Sequence, residues 1–398
     1  MSSSVAFAAS LSGVRLAQLP PLALYVHIPW CVKKCPYCDF NSHQVKGEAP
    51  EAAYVDALVN DLELALPDVW GRRVYSLFFG GGTPSLFSAA SIETLISAFR
   101  ARLPLAADCE ITLEANPGTF EAEKFRDYRK AGVNRLSIGI QSFDPEHLKA
   151  IGRIHDDREA RRAIEIARKY FDNVNLDLMY ALPGQTLEEA RADVESALQA
   201  GVSHLSFYHL TVEPNTHFYR HPPVLPDQDA AAEIQEMIAI ALGNGGYVHY
   251  ETSAWARPGR ECRHNLNYWR FGDYLGIGAG AHSKLSFPDR VTRTARWKQP
   301  RDYLERVAAG RPVQDAREVG REELVFEFMM NALRLSDGFP SELLAERTGL
   351  QIALAEKPLR EAEARGLIVR DHERIAPSPL GQRFLNDLLQ LFLPAKSS

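Results

Sequence analysis

Residues 25–40 read YVHIPWCVKKCPYCDF, and the C-x3-C-x2-C spacing of Cys31, Cys35 and Cys38 within them governs how the rest of the chain is read. The chain has five cysteines in 398 residues. At that frequency such a triplet arises by chance in about one chain in a thousand. An odd set of clustered thiols cannot close entirely as disulfides, and three soft ligands suit a metal centre. Two centres meet that description. A tetrahedral zinc would need a fourth ligand such as His43. A four-iron cluster would leave one iron without a protein ligand, a vacancy open to a substrate or cofactor.

Outward from this stretch, short β-rich runs alternate with amphipathic ones as far as about Tyr250. Strands are expected at 23–28, 74–79, 109–114, 134–139, 173–178 and 203–208. Helical patterns lie near 51–66, 89–102, 120–131, 157–170, 186–200 and 228–243. Thr186 with Glu189 three residues later reads as a capping box, and Pro145 after Asp144 marks a second helix start. Six βα units in series imply a parallel sheet with helices outside, so the predicted fold is α/β, a partial (βα)6 barrel of TIM type.

The rhythm changes beyond residue 250. A Gly- and aromatic-rich segment, 259–284, leads into a basic stretch, 290–301, and then helices at 321–334, 340–347, 352–365 and 379–392 with a hairpin at 367–376. This tail reads as a winged-helix-like module. Its acids Glu342, Glu346, Glu356, Glu361, Glu363 and Asp371 offset the cations, which favours a packing or docking role over nucleic-acid binding. The expected organisation is a disordered lead-in over 1–20, a barrel over 21–255, a connecting segment over 256–320 and the helical C-terminal module over 321–398.

Composition narrows the class. A formal charge of −6 argues against broad nucleic-acid binding, and no run reaches the ~18 apolar residues of a membrane span. Few cysteines, most of them clustered, fit a reducing, cytoplasmic compartment. Residues 1–20 are rich in Ser and Ala but lack the charged and long apolar regions of an export signal.

In barrels of parallel strands, chemistry sits at the C-terminal strand ends. Cys31 to Cys38 follow the first strand, Gly80-Gly81-Gly82-Thr83-Pro84 the second, and Asn116-Pro117-Gly118 the third, which Glu114 closes. Gln141 and Ser142 follow the fourth, Asp177 lies in the fifth, and His209 follows the sixth. The glycines either form a tight turn or let bare backbone approach a polar ligand. Glu114 and Asp177 are either internally satisfied acids or acceptors for an ammonium and hydroxyls. Arg153 is either a surface cation or the partner of a ligand carboxylate.

These segments, with FFGGGTPS, EANPGT, RLSIGIQSF, LDLMYALPGQT and HNLNYWRFGDYLGIGAGAHS, resemble the radical S-adenosylmethionine (SAM) superfamily. Within it they are similar to the anaerobic coproporphyrinogen III oxidase family and its haem-chaperone branch, over roughly residues 20–390. The resemblance implies a 4Fe-4S cluster on Cys31, Cys35 and Cys38, with SAM chelating the unique iron. Electron transfer from the reduced cluster would release a 5′-deoxyadenosyl radical. It further implies that Tyr25 and Tyr37 line the cofactor and that Gly81, Gly82 and Thr83 contact its aminoacyl end. Glu114, Gln141, Arg153 and Asp177 would hold its polar groups. His282, with Leu210 or Thr211, would lie near the adenosyl moiety.

Two details separate the branches. The oxidase branch carries a fourth cysteine two residues after the third, where this chain has Phe40. Together with Trp30 and Asn41, that points to the chaperone branch. His264-Asn265-Leu266-Asn267-Tyr268-Trp269 matches the HNxxYW motif associated there with haem binding. His264 is therefore the expected axial ligand, with Cys262 as a competing thiolate. Arg290, Arg293, Arg296, Lys298 and Arg301 either meet the propionates or form solvated surface. The resemblance implies a haem carrier that delivers haem to apoproteins, including membrane-bound respiratory enzymes at the inner membrane, and leaves a homodimer open. The alternative is an oxidase that converts coproporphyrinogen III to protoporphyrinogen IX.

Overall fold

The computed structural model describes residues 13–118 and 122–394. The expected βα series is present. It runs β1 (Leu22–Ile28), α1 (Glu51–Val69), β2 (Val74–Gly81), α2 (Ala89–Arg102), β3 (Leu105–Ala115), α3 (Ala122–Ala131) and β4 (Arg135–Gln141). Then come α4 (Pro145–Ala150), α5 (Asp157–Tyr170), β5 (Val174–Tyr180), α6 (Leu187–Gln199), β6 (His204–His209), α7 (His217–Arg220) and α8 (Gln228–Asn244). Thr186 and Glu189 form the expected reciprocal cap, and Asp144 caps α4 ahead of Pro145.

The stretch 256–320, expected as a connection, instead completes the sheet. After β7 (Val248–Glu251), β8 (Ala254–Ala256) and α9 (Arg263–Trp269), the chain returns as β9 (Asp273–Ile277). This strand pairs parallel to β1, on the side opposite β2. β10 (His282–Phe287), β11 (Arg290–Arg296) and, beyond α10 (Pro300–Ala308), β12 (Val313–Glu318) extend the sheet antiparallel. The twelve strands lie in the order β12-β11-β10-β9-β1-β2-β3-β4-β5-β6-β8-β7.

Period-two alternation sorts the two faces. Leu24, Val26, Leu77, Phe79, Ile111 and Leu113 enter the apolar core that also contains Leu58 and Leu62 of α1 and Leu95 and Phe99 of α2. The alternate positions form a polar interior. Ser137 and Asn175 donate to Asp177, and His204 bonds Asn175. Two buried ion pairs anchor the added strands. Arg296 donates to Asp61 of α1 at 3.0 Å, and Lys284 lies 3.0 Å from Asp273. Asp61 also accepts from Gly278 N and Tyr303 Oη.

The C-terminal module comprises α11 (Arg321–Ala332), β13 (Phe339–Pro340), α12 (Leu343–Thr348), α13 (Glu356–Ala364), the hairpin β14 (Ile368–Arg370) and β15 (Arg374–Pro377), α14 (Pro379–Arg383) and α15 (Leu385–Gln390). Its small sheet, ordered β13-β15-β14, gives the winged-helix arrangement. Glu356 and Glu363 pair with Arg370, and Glu356 also with Arg360. α11 leaves the β12 edge, pairs Glu327 with Arg293, and delivers the chain to the other edge. There Thr252 N donates to Arg334 O, and Ser336 N to Tyr250 O. The expected lead-in divides. Residues 1–12 lie outside the described residues, whereas Val14 and Leu16 are buried in the C-terminal core and Leu16 N donates to Pro288 O. Residues 13–20 are thus a packed arm, because those two apolar side chains find an apolar surface.

Removing one partner of a buried ion pair leaves an uncompensated charge. Arg296→Leu is therefore expected to lower unfolding free energy by about 3–5 kcal/mol. Chemical denaturation of Arg296→Leu, Asp61→Asn and the double variant should give non-additive losses.

Candidate functional site

The cysteine loop is braced by main-chain bonds before any ligand is considered. Trp30–Cys31 pairs with His43–Gln44, Val45 N donates to Cys31 O, and Cys38 N donates to Cys35 O. The three thiols are half-buried and unbridged. Burial, and after it the neighbouring thiols, raise Cys31 above the usual thiol range against the opposing hydrogen bonds of Thr83 and Ser42, and burial does the same to Cys38. Three adjacent thiolates thus need a cationic centre to stabilise them. Among the described residues, only Asp144, His147 and Glu189 bring ligand atoms within 4.8 Å of one another. The three sulfurs stand wider than that, which fits a polynuclear cluster better than one tetrahedral zinc ion. His43, the candidate fourth zinc ligand, bonds Asn41 Oδ1 at 3.3 Å instead.

The thiols open into a cavity of about 410 Å³ at the C-terminal ends of the strands. Tyr37, Gly81, Gly82, Thr83, Glu114, Gln141, Arg153, Asp177, Leu210 and Thr211 all line it. Its glycines are sterically required. Gly81 has φ +113° and a Cβ there would lie 2.5 Å from the His27 ring, while one on Gly82 would lie 2.5 Å from Trp30 O. Gly81 N donates to Glu114 Oε2 at 3.1 Å. Burial, and secondly the neighbouring Asp177, raise the Glu114 carboxyl to about 8. Asp177 is likewise raised by burial while accepting from Ser137 and Asn175.

Arg153 reaches Cys35 Sγ at 3.7 Å and donates to Asn116 Oδ1 and Gly139 O, while its buried Nε has no hydrogen-bond partner. Gln141 sits at φ +69°, a left-handed conformation uncommon outside glycine and found where a site dictates the backbone. Asn116, Ser137 and Tyr208 also face the cavity but were absent from the sequence-based set. Asn116 stood on the expected rim, Tyr208 lies two residues beyond Ser206 on β6, and Ser137 lies two residues before Gly139 on β4. The donors, acceptors and thiols fit a 4Fe-4S cluster with a polar, cationic ligand beside it.

Tyr25 and His282 stand on the neighbouring part of this rim. They line an adjoining cavity of about 560 Å³, because β9 lies on the other side of β1 and brings its following turn there. The two cavities share Asp39, Phe40, Gly81 and Glu114. Phe40 is 62% exposed, so the residue standing in place of a fourth cysteine presents a bare aromatic face at the shared wall. His27 also lines the second cavity, but its ring is engaged on both sides, by Tyr25 Oη at 3.0 Å and Asn41 O at 2.9 Å.

His264 occupies neither cavity. It is 4% exposed on α9, beneath the rim inside the sheet. Its ring stacks on Phe78 at 4.6 Å, meets Tyr268 edge-on at 4.8 Å, and places Nδ1 3.3 Å from Ser76 Oγ. Burial holds its pKa at about 3. In this packed arrangement the imidazole is enclosed and opens into neither cavity. Cys262 is equally enclosed, 3.5 Å from Glu110 Oε1. The basic run is mostly consumed by pairing, since Arg290, Arg293, Arg296 and Arg301 bond Asp289, Glu327, Asp61 and Glu305. Lys298 lines the second cavity.

A parallel half-barrel with three thiols and a polar cavity at its strand ends is the core of a radical SAM protein. Residues 25–197 match the Radical SAM superfamily, and residues 319–384 the HemN C-terminal domain. The chain is 51% identical over 380 residues to Heme chaperone HemW of Escherichia coli (strain K12), covering 95% of this chain and 100% of that one. It is 38% identical over 354 residues to Heme chaperone HemW of Mycobacterium tuberculosis (strain ATCC 25618 / H37Rv), covering 86% and 90%. The solved structure of coproporphyrinogen III oxidase (HemN) from Escherichia coli, a radical SAM enzyme, superposes with a TM-score of 0.79 at 25% identity, covering 94% and 90%. The chain belongs to the HemW branch of the HemN-like radical SAM family.

The clash at Gly82 gives a direct check. Gly82→Ala should cost about 1–3 kcal/mol in denaturant unfolding and speed reaction of the three loop cysteines with a thiol reagent.

Proposed function

We propose that this protein is a haem chaperone that binds haem and delivers it to haem-dependent apoproteins, with a 4Fe-4S cluster and SAM in its half-barrel. The observation that carries the reading is the near full-length likeness to HemW chains, joined to an exposed Phe40 where the oxidase branch has a cysteine. In this reading Cys31, Cys35 and Cys38 hold the cluster. Gly81, Gly82 and Thr83 offer close backbone approach to the aminoacyl end of SAM. Glu114 takes its ammonium, Arg153 its carboxylate, and Asp177 and Gln141 the remaining polar groups. When bound, cluster and SAM together supply one-electron cleavage of a sulfonium.

The residues themselves do recognisable work. Glu114 is protonated in the empty site and gives up that proton when a cation displaces it. Gln141 and the glycines hold the backbone open, and Arg153 lends positive charge beside Cys35. The inferred acceptors include membrane-bound respiratory enzymes reached from the cytoplasmic face. No described helix is long and apolar enough to cross a membrane, so contact with such acceptors would be peripheral. Homodimer formation is compatible with this reading.

Three outcomes are expected. Ser in place of Cys31, Cys35 and Cys38 abolishes iron and labile sulfide in anaerobically reconstituted protein, measured by colorimetric assay. SAM binding releases a proton at neutral pH and tightens as pH rises toward about 8, where Glu114 ionises. Calorimetry in buffers of different ionisation enthalpy reads this release, and Glu114→Gln removes it. Incubation with SAM, reductant and coproporphyrinogen III yields no protoporphyrinogen IX by chromatography. Appearance of that product would replace the chaperone reading with an oxidase.

A further inference from the structure

The end of the half-barrel remote from the thiols carries its own concentration of charge. Val174 opens β5 and Ser203 immediately precedes β6, so these residues mark the N-terminal ends of the parallel strands. A cavity of about 480 Å³ lies there, walled by Arg168 of α5, by residues 201–203 and by Arg257 and Arg260 beyond β8. That volume is within the ~300–1,000 Å³ common for small-molecule sites. It shares no residue with either cavity at the opposite end.

Several surface arginines of this protein are matched by a carboxylate. Arg263 pairs with Asp108, Arg317 with Glu323 and Arg360 with Glu356. Among the described residues, Arg168, Arg257 and Arg260 are in no ion pair, and Asp172, the one acid lining the cavity, is partnered to none of them. Three guanidiniums against one carboxylate leave two positive charges in excess. The C-terminal ends of α5 and α8 draw cations to this end through their partial negative charge. They leave the forks of Arg168 and Arg260 without a hydrogen-bond acceptor among the described residues.

The support beneath these side chains is fixed. Arg257 N donates to Ser203 O at 2.9 Å, and Arg260 N to Arg257 O at 2.9 Å. The Arg257 guanidinium lies 4.5 Å from the centre of the Tyr247 ring, whose hydroxyl donates to Val202 O at 2.6 Å. Bare backbone supplies the room. Gly246 has φ +79°, and a Cβ there would fall 3.0 Å from Arg257 Nη1. Gly201 has φ +61°, and one there would fall 3.5 Å from Arg168 Nη2. Burial raises the Tyr247 phenol while Arg257 and Arg168 oppose the rise, so both cations lie near one oxygen.

Planar forks of this kind recognise phosphate through paired N–H donors. A phosphate monoester brings about −1.5 to −2 charges at pH 7, which matches the excess. Ser203 Oγ, bonded only at 3.5 Å to Asp172 O and Val174 O, is a further donor on the wall.

We propose that this cavity is a phosphate site, with Arg257 as the fixed anchor and Arg168 and Arg260 as further donors. The phosphate belongs to a soluble phosphorylated molecule or to an anionic lipid headgroup, and its binding is independent of cluster, SAM and haem.

The full chain is titrated with inorganic pyrophosphate by calorimetry. One site is expected on the wild-type protein, weakened about tenfold or more by Arg257→Gln and by Arg260→Gln. Arg257→Lys, which keeps the charge without the fork, should weaken it less. Arg301→Gln, on an exposed pair with Glu305, should leave it unchanged. Far-ultraviolet circular dichroism checks that each variant is folded. Cosedimentation with vesicles of phosphatidylcholine and phosphatidylglycerol in equal parts, against phosphatidylcholine alone, separates the two sources. Capture by the mixed vesicles that both Gln variants lose assigns the lipid headgroup, whereas pyrophosphate binding without capture assigns a soluble ligand. Absence of both kinds of binding overturns the site, as does binding that the two Gln variants leave unchanged. Neither result touches the haem-chaperone reading, which does not depend on this end of the barrel.

Discussion

Asn41 links two parts of the molecule far apart in sequence. Its amide donates to Ala279 O and Lys298 O, while its carbonyl accepts from His27 Nε2. These bonds fix the cysteine loop against the turn after β9 and against the end of β11. The two cavities share a wall because of that connection, and Phe40, the residue before Asn41, stands in the wall. The ion pair of Asp61 with Arg296 serves the same end from below, since Asp61 also accepts from Gly278 in that turn. A neutral side chain at position 41 without two donors would lose both bonds and leave the turn free to drift.

The interior chemistry follows from what the sheet buries. Glu114 and Asp177 stand together on the cavity wall, where each is raised by burial, and Glu114 further by its neighbour. Such a pair is unfavourable alone and gains when positive charge arrives. Deeper in the sheet, Arg135 lies 4.0 Å from Glu110 and is itself fully enclosed. The cup is thus graded, with a balanced charge pair at its floor and excess acid near its mouth. A sulfonium or ammonium is attracted to the mouth and finds no reason to descend.

Much of this was legible in the chain. The βα rhythm gave β1 to β6 because parallel strands covered on one face by helices keep regular apolar alternation. The cavity residues followed because strand ends carry them, and the cysteine spacing named the chemistry. Three features resisted. β9 to β12 read as a connection because their strands carry buried charge, as at Asp273, Lys284 and Arg296, or are exposed throughout, as in Val313–Glu318. The side of β1 on which β9 inserts is a property of topology, so the adjoining cavity that Tyr25 and His282 line was not legible. For His264, the motif specifies residue types and spacing, whereas its enclosure by Phe78 and Ser76 depends on contacts almost two hundred positions away.

An unfinished cylinder must have its two ends tied by something other than a ladder. Here the chain leaves β12, runs through α11 and meets β7 at only a few backbone bonds, between Tyr250–Thr252 and Arg334–Ser336. Side-chain packing supplies the rest, as in Phe271 against Phe328. A strap of this kind detaches at lower free energy than a strand drawn from the sheet. Any widening needed to admit or expel a bulky passenger is therefore concentrated at that seam, and the thiol loop and its neighbours can keep their geometry while the far side gives way.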